Sequence, residues 1–357
     1  MKILIDIGHP AHVHFFRHAI RALKDHGHEI VVMTKDKEVT IALMEKYKIP
    51  FINLGKPGSG LRGKAHSMIV FDYRVFSIAR KFQPDLLVGL GSPYLGHVSR
   101  LIRRPYISFW DTENANLLFY LSYPFVDAIC TPACFRLSLG NRQVCYAGYK
   151  ELAYLHPNHF KPDPAVLDEL GLLPDERFII VRFISWAASH DVGLKGVKDP
   201  VRMVRELEQY GRVLVSSEKK IEGIDKHNML DISPEKFHSL LAYAQLYVGE
   251  GGTIATEAAV LGTPAIHIES DSHGVATGNA SGNFRELRDR YGLMFFYPNE
   301  ENALKKAIDL LADPSTKTTW QKKREILLKD KIDVSDWMIR FIEDYPESFY
   351  QYRTTRR

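Results

Sequence analysis

Three cysteines, Cys130, Cys134 and Cys145, are all that the 357 residues contain. Odd in number and without metal-ligand pairing, they exclude a disulfide framework and suit a reducing compartment. Also missing is any run of about 18 uncharged apolar residues, so no transmembrane helix is expected. Blocks of one charge are absent: 47 Lys and Arg stand against 43 Asp and Glu, and the net charge of +4 is spread along the chain. The small clusters Lys322-Lys323-Arg324 and Arg353, Arg356 and Arg357 read as solvated faces, which argues against a nucleic-acid partner and leaves room for weak contact with anionic lipid or a phosphorylated acceptor. No repeat of about 20–50 residues points to a solenoid. The opening MKILIDIGHP lacks the apolar core and cleavage site of a leader. A cytoplasmic protein is expected, with peripheral contact at the inner membrane face as an option.

What is present describes a soluble globular chain, 45% hydrophobic and 25% charged, long enough for two domains with separate cores. Apolar runs alternate with helical stretches, the pattern of parallel strands joined by crossover helices. Strands are predicted at 2–7, 29–33, 51–54, 86–90, 106–109, 127–131 and 144–147, with helices at 12–26, 38–47, 66–82 and 94–103. Around 148–164 neither period continues, so this stretch reads as the interdomain connection. A second series follows, with strands at 178–183, 212–216, 246–249, 265–268 and 293–296 and helices at 199–210, 234–244, 253–261, 284–290 and 301–312. Residues 314–345 read as two long polar helices.

The most informative stretch is 246–268, LYVGEGGTIATEAAVLGTPAIHI: a short strand, a glycine turn, a helix and another strand. Gly251 and Gly252 remove Cβ atoms at the turn, and Gly262 and Pro264 stop the helix. A helix starting at a glycine pair offers free backbone N–H groups and a positive dipole end, a site for phosphate to which Thr253 can add a hydroxyl. Glu257, one turn in from Thr253, could accept hydrogen bonds from the two hydroxyls of a ribose. The plainer reading is a common strand–helix turn followed by a solvated glutamate. GGTIATEAAVLGTPAI resembles the donor-binding segment of nucleotide-sugar enzymes with the glycosyltransferase B fold, such as the lipid-linked peptidoglycan N-acetylglucosaminyltransferase and the hydrolysing UDP-N-acetylglucosamine 2-epimerases. That resemblance implies diphosphate on the glycine turn and ribose on Glu257.

The first strand–helix turn, IDIGHPAHVHFF, carries His9, His12 and His14, with His18 a turn later. His14 and His18 have i, i+4 spacing, but no acidic or cysteine partner is near and zinc sites generally need three protein ligands, so no metal is expected. Packing or surface roles are the plain reading for most of these histidines, His26 and His28 included. A neutral imidazole here could also serve as a general base. The turn resembles the first glycine-rich loop of the peptidoglycan enzyme, which singles out His12, although Pro10 and Ala11 stand where that loop has glycines.

Other turns supply further candidates. Ser92, in GLGSPY, reads as a helix cap. In WDTEN, Asp111 or Thr112 could cap a helix beginning near Asn114, and Glu113 could bind sugar hydroxyls or act as a base. Arg182 and Ser185, in RFISWAASHDV, could contact diphosphate, a role that suits a planar guanidinium. His190 and Asp191 are a weak acid/base suggestion, Ser216-Ser217-Glu218 ends the next strand, and 270–278 could close over a sugar. Residues 58–70, GSGLRGKAHSMIV, mix basic and apolar residues before a helix and fit either a lipid-linked acceptor or an ordinary loop.

WDTEN, FISWAASHD and the region around EGGTIATEA, with IDIGHPAHVHFF, resemble the domain of unknown function 354 family, grouped with the glycosyltransferase B enzymes, over nearly the whole chain. The resemblance implies two Rossmann-like α/β domains facing a cleft, an acceptor domain at 1–155 joined by about 335–357 and a donor domain at 156–334. It implies a glycosyltransferase moving a sugar from a nucleotide-sugar donor, expected to carry UDP, to an unknown glycan or lipid-linked acceptor. Diphosphate would lie on Gly251, Gly252 and Thr253 with help from Arg182 and Ser185, ribose on Glu257, and the base would be His12 or Glu113. No metal or other cofactor is required. Two alternatives stand: a 2-epimerase or hydrolase using Asp111 and Glu113 as acid and base, and a catalytically silent nucleotide-sugar binding partner of a glycosylation enzyme.

Overall fold

The computed structural model describes residues 1–36, 38–58, 60–113, 120–173, 175–186 and 193–354. The chain divides into two compact units, Met1–His159 with Ile332–Arg357, and Phe160–Lys331.

The first unit is built on seven parallel strands: β1 (Lys2–Ile7), β2 (Glu29–Thr34), β3 (Ile52–Asn53), β4 (Leu86–Leu90), β5 (Tyr106–Phe109), β6 (Ala128–Pro132) and β7 (Gln143–Tyr146). Their order is β3-β2-β1-β4-β5-β6-β7. The central strands are apolar on both faces, as strands covered on both sides by helices must be, and β1 (KILIDI) is buried from Ile3 to Ile7. The described helices of this part of the unit are α1 (Pro10–Asp25), α2 (Glu38–Lys46), α3 (Gly60–Phe82), α4 (Pro93–Ile102) and the short α5 (Leu152–Leu155).

The second unit carries β8 (Phe178–Phe183), β9 (Arg212–Ser217), β10 (Leu246–Gly249), β11 (Ala265–Ile268) and β12 (Met294–Tyr297), all parallel, in the order β12-β11-β10-β8-β9. Its described helices are α6 (Ala165–Glu169), α7 (Pro200–Glu208), α8 (Phe237–Tyr243), α9 (Gly252–Leu261), α10 (Gly282–Asp289), α11 (Glu300–Ala312) and α12 (Thr316–Asp330). The chain then returns to the first unit as α13 (Val334–Glu343) and α14 (Glu347–Thr354).

Both sheets are doubly wound, and the strand order reverses once in each. In the first unit the reversal lies between β1 and β4, in the second between β8 and β10. Ligands of such sheets bind in the crevice beyond the carboxyl ends of the strands at that switch point.

Two expectations need correction. The glycine-rich stretch at 58–70 is not a loop ahead of a helix, because α3 already starts at Gly60. A Cβ on Gly58 would lie 2.6 Å from the Gly63 carbonyl oxygen, so these glycines serve a tight fold-back against the first helical turns. The 148–164 stretch holds only the four-residue α5, all of it buried, and the division between the two units falls within it at 159–160; a Cβ on Gly148 would sit 2.4 Å from Val334. Nor is the second of the late helices polar. α13 buries Val334, Trp337, Met338, Phe341 and Ile342 against α1 and α5, and Phe341 stacks on Trp337 at 5.0 Å.

Phe341 is fully buried. Phe341→Ala should therefore cost ~3–5 kcal/mol in chemical denaturation, the usual range for emptying an aromatic site. A loss below ~1 kcal/mol would mean that α13 is only loosely docked on its own unit.

Candidate functional site

At the switch point of the second unit, β10 lies so close to β8 that a Cβ on Gly249 would come within 2.5 Å of the Arg182 carbonyl oxygen. Gly251 follows with φ +86°, a left-handed conformation in which side chains are strained, and serves as the residue before α9. Gly252 opens the helix where a Cβ would meet the Phe284 ring at 2.6 Å. No side chain caps this helix start. Thr253 and Ile254 are half-buried in the first turn, and Gly262, at φ +76°, ends the helix.

Glu257 is buried rather than solvated, with its Oε1 3.1 Å from His238 Nε2. Arg182 projects from the end of β8, where its Nη1 donates to Ser216 Oγ at 2.8 Å and its Nη2 to Glu218 Oε1 at 2.9 Å. Glu218 also takes the backbone N–H of Ser185 at 3.1 Å, so one carboxylate holds both residues expected to face diphosphate. A cavity of about 270 Å³ opens beside it, lined by Lys219, Lys220, Lys226, Ile221, Ile224 and Met229. His190 and Asp191 lie outside the described residues.

Three residues of this edge were not singled out by sequence reasoning: Glu250, His238 and His267. Glu250 is 2% exposed, and its carboxylate accepts backbone N–H groups from Ile184 at 2.8 Å and Val197 at 2.7 Å. Burial pushes its pKa up against these two hydrogen bonds. His267, at the end of β11, has its Nδ1 buried without a hydrogen-bond partner. Burial lowers its pKa to about 4, so the ring is neutral. The acid directly before the glycine pair was the one available signal; the two histidines sit in apolar or mixed runs that give none.

In the first unit, the loops after β1 and β4 meet at the corresponding place. His9 caps α1 by accepting from Ala11 N at 3.2 Å, and His12 Nδ1 accepts from Gly8 N at 3.3 Å. Lys35 Nζ and His12 Nδ1 would lie 3.8 and 3.9 Å from a Cβ on Gly8, and Lys35 also sits over the Tyr94 ring at 4.5 Å. Asp6 is buried beside them, with Oδ1 unpartnered. Desolvation raises its pKa, and Lys35 and a hydrogen bond to Ser92 pull it back. Ser92 caps α4 through Leu95 N at 3.4 Å.

The remaining candidates have separate partners. Asp111 is ion-paired with buried Lys150, which also lies 3.7 Å from Glu151. Glu113 accepts the N–H of Arg136 at 3.2 Å. The helix expected near Asn114 falls outside the described residues. His14 packs on Tyr47 and Tyr154, while His18 stacks on His159 at 4.7 Å with its pKa lowered to about 3 by burial. These two histidines therefore do not face a common ligand. Among the described residues, no group of three His, Cys, Asp or Glu could hold a metal ion.

Residues 1–274 match the family described as "Protein of unknown function (DUF354)". The chain belongs to this family. An uncharacterized protein of Methanocaldococcus jannaschii is 24% identical to this DUF354 protein over 281 residues, 74% of this chain and 81% of the relative. Among solved structures, a putative UDP-N-acetylglucosamine 2-epimerase from Listeria monocytogenes is similar with a TM-score of 0.67 at 12% identity, covering 97% of both chains. The UDP-N-acetylglucosamine 2-epimerase of Neisseria meningitidis bound to UDP-GlcNAc has a TM-score of 0.63 at 12% identity, covering 98% of this chain and 100% of the other. A spinosyn rhamnosyltransferase complexed with spinosyn aglycone has a TM-score of 0.61 at 13% identity, with coverage of 96% and 100%. At these identities the likeness establishes the fold, that of glycosyltransferase B enzymes and their epimerase relatives.

His267 supplies a test of the site's burial. Its folded pKa of about 4 lies below the usual 6.5, so its contribution to stability is complete above pH 6.5 and is lost as pH falls toward 4. Between pH 7 and pH 5, wild type should lose about 1–2 kcal/mol more than His267→Leu in urea denaturation, an effect that subtraction separates from His18. Equal losses would mean that the imidazole is solvated.

Proposed function

We propose that this DUF354 protein is a glycosyltransferase that moves a sugar from a nucleoside-diphosphate sugar, with UDP as the expected carrier, to a glycan or lipid-linked acceptor. The observation that carries the reading is the arrangement at the switch point of the second unit. An uncapped helix start at Gly251 and Gly252 faces the loop after β8, Arg182 stands across the crevice, and a buried carboxylate follows one turn into the helix. The backbone N–H groups and Thr253 hydroxyl would take the diphosphate, and Glu257, oriented by His238, the ribose. Structures of the same fold carry UDP, UDP-GlcNAc or dTDP according to their descriptions.

In the reaction, His12 or Glu113 would take the proton of the acceptor hydroxyl as its oxygen attacks the anomeric carbon. The bond from that carbon to the diphosphate breaks, and the charge on the departing nucleotide falls on the α9 amides and Arg182. Glu218 now occupies Arg182 and the Ser185 N–H, the groups that diphosphate would use. Its side chain is 44% exposed and borders the cavity beside it, so it can swing away as the ligand arrives. Among the described residues no helix is long and apolar enough to cross a membrane, so a lipid-linked acceptor would be met at a membrane face.

A 2-epimerase reading, with Asp111 and Glu113 as acid and base, draws support from the epimerases of the same fold. Against it, Asp111 is neutralised by Lys150 while Glu113 is held by a backbone amide elsewhere.

Incubating the protein with UDP-sugars in deuterated water separates the two. A transferase leaves the C2 proton unexchanged without acceptor and releases UDP only when a lipid or glycan fraction is added. Exchange at C2 without acceptor would replace this reading with epimerisation. Glu218→Ala should bind UDP a few-fold more tightly than wild type, since the diphosphate no longer competes with a carboxylate for Arg182. Weaker binding would remove Arg182 and Ser185 from the diphosphate site.

A further inference from the structure

Resting on that reading of the second unit, we infer that Glu250 is a positioning residue of the nucleotide site, bridging the two walls of the switch-point crevice without touching ligand. One wall is the glycine turn that follows β10; the other is made by 184–186, which leave β8, and by 193–197, which lead to α7. Glu250 belongs to the first. Its N–H donates to the Arg182 carbonyl at 3.0 Å, and its own carbonyl accepts the Tyr247 hydroxyl at 3.0 Å. With the backbone fixed on both sides, the side chain crosses to the second wall.

There the carboxylate takes one backbone amide from each of these two stretches. Oε2 accepts from Ile184, immediately after β8, and Oε1 from Val197, just ahead of α7. Gly196 makes the second contact feasible, because a Cβ there would stand 1.9 Å from Oε1 and 2.4 Å from the Trp186 ring. Trp186 adopts φ +54°, an uncommon conformation for a side chain of that size. Beyond it Lys195 and Ser270 exchange backbone hydrogen bonds of 2.9 and 2.8 Å, which carries the tie on to the loop after β11. A buried carboxylate spanning two backbone amides, in a place that requires glycine opposite, is a built joint. Its desolvation is costly unless both oxygens stay bonded, so it favours one spacing of the two walls.

Two lesions attack this joint from opposite sides. Glu250→Gln sets an amide NH2 against one of the two backbone N–H groups, and Gly196→Ala pushes the intact carboxylate away. Titration calorimetry with UDP, GDP, CDP and ADP on wild type and both variants, with hydrogen exchange at the Ile184 and Val197 amides, reads the outcome. The inference expects at least fivefold weaker binding in both variants, with faster exchange at both amides. Wild-type affinity in variants whose amides exchange freely would overturn it, as would a fall in melting temperature with affinity unchanged. Failure of wild type to bind any of the four would overturn the inference and the glycosyltransferase reading together, whereas binding by wild type and variants alike overturns the inference alone.

Discussion

The carboxyl edge of the second sheet depends on Gly249 having no side chain. Any Cβ there would press on the backbone of Arg182, so β10 and β8 could not stay paired as far as Gly249 and Arg182. Because they do, Glu250 emerges where it can reach the segment beyond β8, Gly251 turns the chain through a left-handed conformation, and α9 begins with its amides facing the crevice. One missing methyl group thus sets the spacing on which the proposed anion site, the Arg182 fork and the Glu250 joint all rely.

The two units handle their switch points by a common device. In each, a buried acid follows or ends the strand on one side of the reversal and bonds to the loop on the other: Asp6 to Ser92 across β1 and β4, Glu250 to Ile184 across β10 and β8. Burial raises both pKa values. The supports differ. Glu250 has two backbone N–H partners, whereas Asp6 keeps one oxygen unpartnered and has Lys35 as its nearby charge. Around Asp6 lie His12 and the starts of α1 and α4, so the first unit concentrates polar groups at the equivalent position.

Strand positions were legible because each parallel strand is buried on both faces and reads as an apolar run between glycine or polar turns. All twelve strands of the described residues were found, with edges shifted by a residue or so. Strand order was not legible, since pairing in a parallel sheet leaves no local mark in the chain, and the switch points follow from order alone. Helix composition misled at two places in the first unit: Gly58 and Gly63 serve close packing of the chain against the start of α3, and the polar residues of 334–343 conceal an apolar stripe. At the site, the glycine turn announced itself, but what holds the neighbouring side chains did not. That Glu257 pairs with His238, Arg182 with Glu218, and Asp111 with Lys150 depends on residues 19 to 39 positions apart. Such pairs are set by tertiary packing, which single-chain periodicity does not encode.

The central claim is that α9 and Glu257 form the nucleotide end of a donor site, and calorimetric titration of nucleoside diphosphates into wild type and Glu257→Ala tests it most directly. Selective binding of one nucleoside diphosphate, weakened at least fivefold by the substitution in a protein that stays folded, is the predicted result. No binding by wild type, or equal binding by both, would contradict the account and leave only the fold.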